Sequence, residues 1–164
     1  PLLRENFVER VFALHELNAL RARGLTRHGL LAFHSRYKLQ LLAHHQAGYR
    51  EIGPFVASLH EWEDLEAFFE VYREKLMAIL KQPASRKNHT NVLMHIQGYF
   101  RDQLNSRQRG ELREVILNYR AGLPILAPLT LLKHYLAEYP DRYLQAQNYF
   151  DPYPQDLALR LTVN

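Results

Sequence analysis

Apolar residues recur every three or four positions along most of the chain, which is the spacing of amphipathic helices. The first such stripe predicts a helix with the core-facing residues Phe7, Val8, Val11, Leu14 and Leu17. Asn6 and Glu9 match a capping box at the start of this helix, and Gly24 is suited to its end. Thr26 is predicted to cap a second helix that runs to about His45.

Five further helices are predicted downstream. A short one covers residues 49–59, with Pro54 in its first turn or at a kink, and the cleanest stripe, in residues 65–80, has glutamates on its opposite face. The remaining stripes predict helices over residues 88–101, 106–122 and 129–139. No segment shows the alternation of a strand. The fold is therefore predicted to be all-α, a single globular bundle of about seven helices with short connections, and residues 1–164 to form one domain.

The composition is that of a globular protein, with 47% hydrophobic and 23% charged residues, and it excludes disordered and collagen-like classes. There is no run of about eighteen apolar residues, so we expect a cytoplasmic domain without a membrane-spanning segment. Because the chain opens with Pro1 instead of methionine, we also expect either a trimmed chain or part of a longer protein.

Several familiar active-site patterns are missing from the sequence. The absence of cysteine excludes disulfides, zinc–thiolate sites, cysteine-held iron–sulfur clusters and thiol nucleophiles in this chain. There is no H-E-x-x-H, Glu-x-x-His or Gly-x-Ser-x-Gly pattern and no glycine-rich phosphate loop. We therefore predict no metal and no cofactor in this chain, and standard hydrolase and kinase activities are not supported.

Positive charge is concentrated in two segments. Lys and Arg outnumber Asp and Glu by eight to three in residues 1–50 and by seven to three in residues 83–120, whereas acids lead by seven to three in residues 51–82. Together with the net charge of +4, this distribution is compatible with a polyanionic partner. The alternative is a set of ordinary solvated helix faces.

Two polar residues interrupt the apolar face of the second predicted helix. His34 and Lys38 are one turn apart and fall among leucines and aromatic residues. Because a buried ammonium group is costly, the pair either lines a cavity or reaches out to solvent from the edge of a narrower core.

The helix predicted from Asn88 has a comparable polar flank. His89 falls among apolar residues, while Asn91 and His95 share a side with Gly98. A glycine within a helix costs about 1 kcal/mol relative to alanine, so we expect another helix or a ligand to approach Gly98 closely.

The start of that helix has the residue types of an anion site. Cap-type and cationic residues occur together there, namely Ser85, Arg86, Lys87 and Asn88. Unpaired backbone N–H groups and the positive end of the helix dipole would favour a phosphate at this position, although ordinary capping explains the same pattern. Lys133 and His134 flank the apolar face of the last predicted helix and have the appearance of surface residues.

Four blocks of the sequence resemble the YbgA-like family of domains of unknown function: residues 33–38, 85–100, 128–135 and 148–154. Members of this family occur alone or fused behind a cysteine-rich domain similar to TudS-type thiouracil desulfidases, which use an iron–sulfur cluster. Residues 1–7 look like the junction of such a fusion. The resemblance implies an accessory role in which the chain holds a thiolated RNA such as tRNA for a desulfidase domain, joined in cis or acting in trans. Any iron–sulfur cluster would then belong to that partner.

Three hypotheses follow for the function. In the first, an RNA-binding module contacts phosphates through Arg27, Arg36, Arg86, Lys87, Asn88, Arg101 and Lys133. In the second, a small-molecule or nucleotide-binding enzyme domain has a pocket formed by His34, Lys38, His89, Asn91, His95 and His134. In the third, the chain is a structural docking domain for the desulfidase partner, and an exposed apolar patch would be its signature.

Overall fold

The helices predicted from the apolar spacing are present in the computed structural model, which describes residues 2–154. Its α-helices are α1 (Leu2–Ala22), α2 (Arg27–His44), α3 (Gln46–Ala57), α4 (Leu65–Lys81), α5 (Arg86–Gly98), α6 (Ser106–Arg120), α7 (Leu126–Glu138) and α8 (Arg142–Gln145). Two 3₁₀ turns lie at Ser58–Glu61 and Asn148–Phe150. Residues 2–154 contain no strand, so the all-α prediction is confirmed, with the single-turn α8 as an additional helix.

Local signals account for several of the helix ends. The Thr26 hydroxyl oxygen accepts a hydrogen bond from the backbone N–H of Gly29 and caps α2, as predicted. Gly24 and Gly122 end α1 and α6 with φ angles of +103° and +127°, a conformation that favours glycine. The cap of α6 is Asn105, in a capping box with Gln108, and not the predicted Ser106.

Pro54 does not lie in the first turn of a helix. It occupies the interior of α3, which starts at Gln46, so the helix begins earlier than its apolar pattern indicated. The N-terminal cap of α3 is His45, whose Nδ1 accepts a hydrogen bond from the backbone N–H of Gly48.

Helix α2 is the central element because it contributes to two apolar clusters. Leu30 and Phe33 pack with residues of α1, α3 and α4, whereas Leu39 and Leu42 pack with residues of α5, α6, α7 and the C-terminal segment. The C-terminal segment is tied to α2 by the buried Gln147, whose amide accepts from the N–H of Leu39 and donates to the carbonyl of Ser35. A helix surrounded in this way has little free surface to offer a ligand.

The first half of α1 is oriented opposite to the prediction. Phe7 and Val11 are 62% and 47% exposed, whereas Glu5, Asn6 and Glu9 are buried. The predicted core face is therefore wrong for this half, although Leu17 is fully buried as expected. The predicted capping box at Asn6 is also wrong, because α1 begins at Leu2 and Asn6 lies inside it.

Three glutamates of α1 hold it against the rest of the molecule. Glu5 accepts a hydrogen bond of 2.9 Å from the Tyr153 hydroxyl, and Glu16 accepts one of 2.6 Å from the Tyr37 hydroxyl. A Glu9 carboxylate oxygen lies 2.6 Å from Nε2 of His44 on α2. Burying a carboxylate is favourable only with such partners, and here the partners come from α2 and the C-terminal segment.

Candidate nucleic-acid interface

Helices α5 and α6 pack side by side in antiparallel directions. At one end of the pair, Arg86 of α5 donates hydrogen bonds to the carbonyl oxygens of Tyr119 and Leu123, the second at 2.8 Å. At the other end, the Gln97 side chain donates to the carbonyl oxygen of Arg109 at 3.4 Å. The two basic helices of residues 83–120 thus form one surface.

Arg86 is used to build this pair. Its guanidinium group lies 4.5 Å from the centroid of the Tyr119 ring and satisfies carbonyl groups at the end of α6, where backbone acceptors lack helical partners. The side chain is half-buried. We therefore do not count Arg86 among the cations that are open to a polyanion.

We call four exposed cations of the pair and its connection the basic face: Lys87, Arg101, Arg113 and Arg120. Arg107 of α6 is also exposed, but it lies about 120° around the helix from Arg113. Lys87 and Arg120 directly follow the contacting residues Arg86 and Tyr119, so they belong to the same end of the pair. Arg113 is seven residues before Arg120 and therefore shares its side of α6, while Arg101 lies in the connection at the other end. Within residues 2–154, none of the four forms a salt bridge.

Three of the other predicted phosphate contacts lie outside the α5–α6 pair. Arg27 and Arg36 are on α2, where Arg27 donates to the carbonyl of Trp62 and the Arg36 guanidinium lies 5.6 Å from the centroid of the Phe33 ring. Lys133 on α7 forms a 3.0 Å salt bridge with Asp151. The backbone N–H of Asn88 donates to the Ser85 hydroxyl, which makes Ser85 the cap of α5. Of the seven predicted residues, the structure places only Lys87 and Arg101 on the basic face.

The structure also separates the two buried histidines of the predicted pocket. His34 is buried, and its Nδ1 lies 2.9 Å from the hydroxyl oxygen of Tyr72 on α4. Burial, together with the charge of the neighbouring Lys38, lowers the pKa of His34 to about 4. His89 is buried against the other apolar cluster, with Nδ1 2.7 Å from the Tyr149 hydroxyl oxygen.

Of the remaining predicted pocket residues, Lys38 on α2 is half-buried and the other three are at the surface. Asn91 and His95 lie on the exposed side of α5, and His134 is exposed on α7 with Nε2 3.7 Å from a carboxylate oxygen of Glu138. The cavity at His89 is not lined by His34, Lys38, Asn91, His95 or His134. His89 lies on the opposite side of α5 from Asn91 and His95, so these residues cannot line the same cavity. His34 is directed from α2 toward α4.

The cavity beside His89 contains a side chain that the sequence analysis missed. It has a volume of about 200 Å³ and is lined by Leu2, Glu5, Ala84, Arg86, His89, Tyr119 and Ile125. Glu5 was missed because it lies on the side of α1 away from the apolar stripe. The signal available in the sequence was the four-residue spacing of Glu5 and Glu9, which puts both on one helix face. The polar groups at this cavity are engaged within the protein: Glu5 is hydrogen-bonded to Tyr153, His89 to Tyr149, and Arg86 to the carbonyl oxygens of Tyr119 and Leu123.

Helix α1 also has an exposed apolar patch. The outward side of α1 has three exposed apolar residues spaced by four, which we call the apolar face of α1: Leu3, Phe7 and Val11. None of the helices described between residues 2 and 154 is long and apolar enough to cross a membrane. In the same part of the chain, no three His, Asp or Glu side chains are grouped so as to hold a metal ion.

Comparisons with known proteins find a family and a relative that match most of the chain. The family model described as "Protein of unknown function (DUF1722)" matches residues 38–154. The "Uncharacterized protein YbgA" of Escherichia coli (strain K12) is 51% identical over 152 residues, which cover 92% of this chain and 90% of that relative. No solved structure matches the chain.

Proposed function

We propose a function for this chain on the premise that it belongs to the YbgA-like DUF1722 family, as the family match and the relative at 51% identity show. The chain is an RNA-binding accessory domain, with tRNA as the favoured class of RNA. It presents thiolated RNA or a thiolated nucleotide to an iron–sulfur desulfidase domain, which supplies the chemistry of sulfur removal. The resemblance of residues 1–7 to a fusion junction supports the desulfidase partner.

The basic face is the observation that supports RNA binding. Its four exposed cations, Lys87, Arg101, Arg113 and Arg120, form no salt bridge within residues 2–154. A polyanion that displaces counterions gains affinity from each such cation, and contacts to phosphate require no particular base sequence.

A filter-binding titration with a tRNA transcript tests this function. We expect wild-type affinity to fall steeply as salt rises from about 50 to 200 mM. The Lys87→Ala/Arg113→Ala/Arg120→Ala variant should bind at least about tenfold more weakly and should flatten the slope of log affinity against log salt by about 2, because each lost phosphate contact contributes about 0.7.

The matched control is Arg23→Ala/Arg50→Ala/Lys81→Ala, which removes three exposed cations that lie outside the α5–α6 pair. This control should retain most of the affinity and the salt slope. Equal losses in both variants would place binding elsewhere than on the basic face. A wild-type protein that does not bind the transcript would overturn the function itself.

Docking of the desulfidase domain is supported by the apolar face of α1. Leu3, Phe7 and Val11 are 76%, 62% and 47% exposed. Leu3 and Phe7 belong to the segment that resembles the fusion junction, and Val11 follows it by one helical turn. A partner domain that covers these side chains removes apolar area from water at about 25 cal/mol per Å². The geometry therefore suits a desulfidase domain that packs along the first half of α1.

Analytical ultracentrifugation with a purified TudS-like desulfidase domain tests this docking. The Phe7→Gln/Val11→Gln variant should lose most of its co-sedimentation with that domain, whereas the triple variant of the basic face should co-sediment like the wild type. If the double variant co-sediments unchanged, or if the chain alone self-associates through this face, the docking proposal is wrong.

A further inference from the structure

An aromatic cluster lies at the end of α5, beside the basic face. The rings of Tyr99 and Tyr143 are stacked, with centroids 5.6 Å apart and an angle of 16° between their planes. The His95 ring lies 5.9 Å from the Tyr99 ring at 73°, in an edge-to-face arrangement. Residues that are 44 positions apart in the sequence therefore form one aromatic surface.

The cluster is open to solvent, and its phenol rings are uncharged. Tyr99 is 38% exposed, and His95 is exposed as well. Burial, with contributions from Asp141 and Tyr49, raises the pKa of Tyr99 above its ordinary value, so its hydroxyl group stays protonated at neutral pH. The Asp141 carboxylate accepts a 2.9 Å hydrogen bond from the N–H of Leu144 as the cap of α8. The phenol rings thus offer an uncharged stacking surface.

Two exposed cations lie close to the cluster in the sequence. Arg101 of the basic face follows Tyr99 by two residues, and Arg142 directly precedes Tyr143. Both are exposed, and neither forms a salt bridge within residues 2–154. Aromatic rings with adjacent cations are the combination that single-stranded nucleic acids bind, because bases stack on the rings while phosphates contact the cations.

The space around Gly98, which directly precedes Tyr99, is a second observation at this site. A Cβ atom added at Gly98 would have no heavy atom within 4 Å, so no other part of the described chain approaches it. The expectation that another helix lies close to Gly98 is therefore wrong for residues 2–154. The bare backbone next to Tyr99 leaves room for a bound strand to approach.

We propose that the Tyr99–Tyr143 stack, with His95 at its edge, binds an unpaired base of single-stranded RNA whose phosphates contact the basic face. This inference rests on the RNA-binding function proposed above and names its substrate class. Duplex RNA does not fit, because its bases are already stacked inside the A-form helix and their faces are covered. The substrate is thus a single-stranded loop or end of an RNA.

Competition binding with two probes tests the inference: oligouridylate of about twelve nucleotides and an RNA duplex of the same length. We expect the wild type to bind the single strand at least about tenfold more tightly than the duplex. Tyr99→Leu should weaken single-strand binding by about tenfold, since stacking of one base contributes about 1–3 kcal/mol. It should leave the salt slope unchanged, because no charge is removed. Tyr99→Phe keeps the aromatic ring and should bind the single strand like the wild type.

Phe55→Leu is the matched control, because Phe55 is a half-buried ring on α3, outside the cluster. It should bind both probes like the wild type. If Tyr99→Leu leaves single-strand affinity unchanged, or if the duplex binds equally well, the aromatic cluster is not the base site, although the salt-dependent binding of the proposed function then still stands. If neither probe nor a tRNA transcript binds, both proposals fail.

Gly98→Ala gives an independent readout at the same site. Because the added methyl group meets open space within the described chain, the substitution should stabilise the fold and raise the midpoint of urea denaturation. It should nevertheless weaken binding of the oligouridylate, since the bound strand occupies that space. Unchanged affinity in a stabilised variant would show that the strand does not approach Gly98.

Discussion

His34 is a buried histidine whose environment disfavours its charged form. Its ring lies against Tyr72, with Nδ1 2.9 Å from the hydroxyl oxygen, and only 4% of the residue is exposed. Burial is the main cause of the lowered pKa, and the charge of Lys38 adds to it. The sequence indicated that His34 falls on an apolar face, but only the packing of α2 on α4 shows that it is a core residue.

The pKa of His34 predicts a loss of stability in acid. In the folded chain the pKa is about 4, and in the unfolded chain it is about 6.5. Between these values only the unfolded chain binds the proton, so the free energy of unfolding falls as the pH falls, and the full contribution of neutral His34 is present above pH 6.5. From pH 7 to pH 4, the wild type should lose about 3 kcal/mol more than His34→Gln.

Urea denaturation of both proteins at several pH values in this range measures the difference. The carboxylates that titrate at low pH are common to the two proteins, so their contribution cancels. Parallel stability curves for the wild type and His34→Gln would contradict the prediction.

Glu9 and His44 form a buried pair that no local pattern indicated. Nε2 of His44 lies 2.6 Å from a Glu9 carboxylate oxygen, and Nδ1 lies 2.7 Å from the carbonyl oxygen of Gln82. Because a carbonyl group only accepts, Nδ1 donates the hydrogen bond to Gln82, and a second proton lies between Nε2 and the Glu9 oxygen. Such a pair replaces hydration that the carboxylate loses on burial. Its members are 35 residues apart, so only the folded chain brings them together.

At the scale of the helices, the sequence predicted the positions of helix ends better than it predicted which face of a helix is buried. Thr26, Gly24 and Gly122 act through contacts within a few residues, and all three lie where the sequence pattern placed them. The face of α1 depends on distant partners. Its apolar residues Phe7 and Val11 match a helical stripe equally well whether they point inward or outward, and the hydrogen bonds of the glutamates decide the direction.

At the scale of the whole molecule, α2 joins two apolar clusters into one unit. Leu41 of α2 belongs to the cluster of α1, α3 and α4, while the adjacent Leu42 belongs to that of α5, α6 and α7. A helix shared in this way cannot unfold on one side alone without exposing the other cluster. We therefore expect cooperative unfolding of the two clusters.

Leu132→Ala tests this cooperativity. Leu132 is fully buried on α7, in the cluster with α5 and α6, so the substitution should lower the free energy of unfolding by about 2–5 kcal/mol. Trp62 packs against the other cluster. In urea denaturation, its fluorescence and far-UV circular dichroism should report the same lowered midpoint.

The control for that experiment is Leu117→Ala, an exposed position on α6 that should change stability by less than about 0.5 kcal/mol. Two separate transitions in Leu132→Ala, with the Trp62 signal unmoved, would mean that α2 does not couple the clusters.

The sequence by itself determined the all-α class and several helix ends, because helical spacing, caps and glycine conformations are interactions between near neighbours in the chain. It also located the two basic segments. Only the tertiary structure decided which face of α1 is buried, that Arg86 and Lys133 are engaged within the protein, and that Tyr99 meets Tyr143. These outcomes depend on which helix surfaces pack together, and the free energy of a side chain at such a contact is set by partners that are distant in sequence.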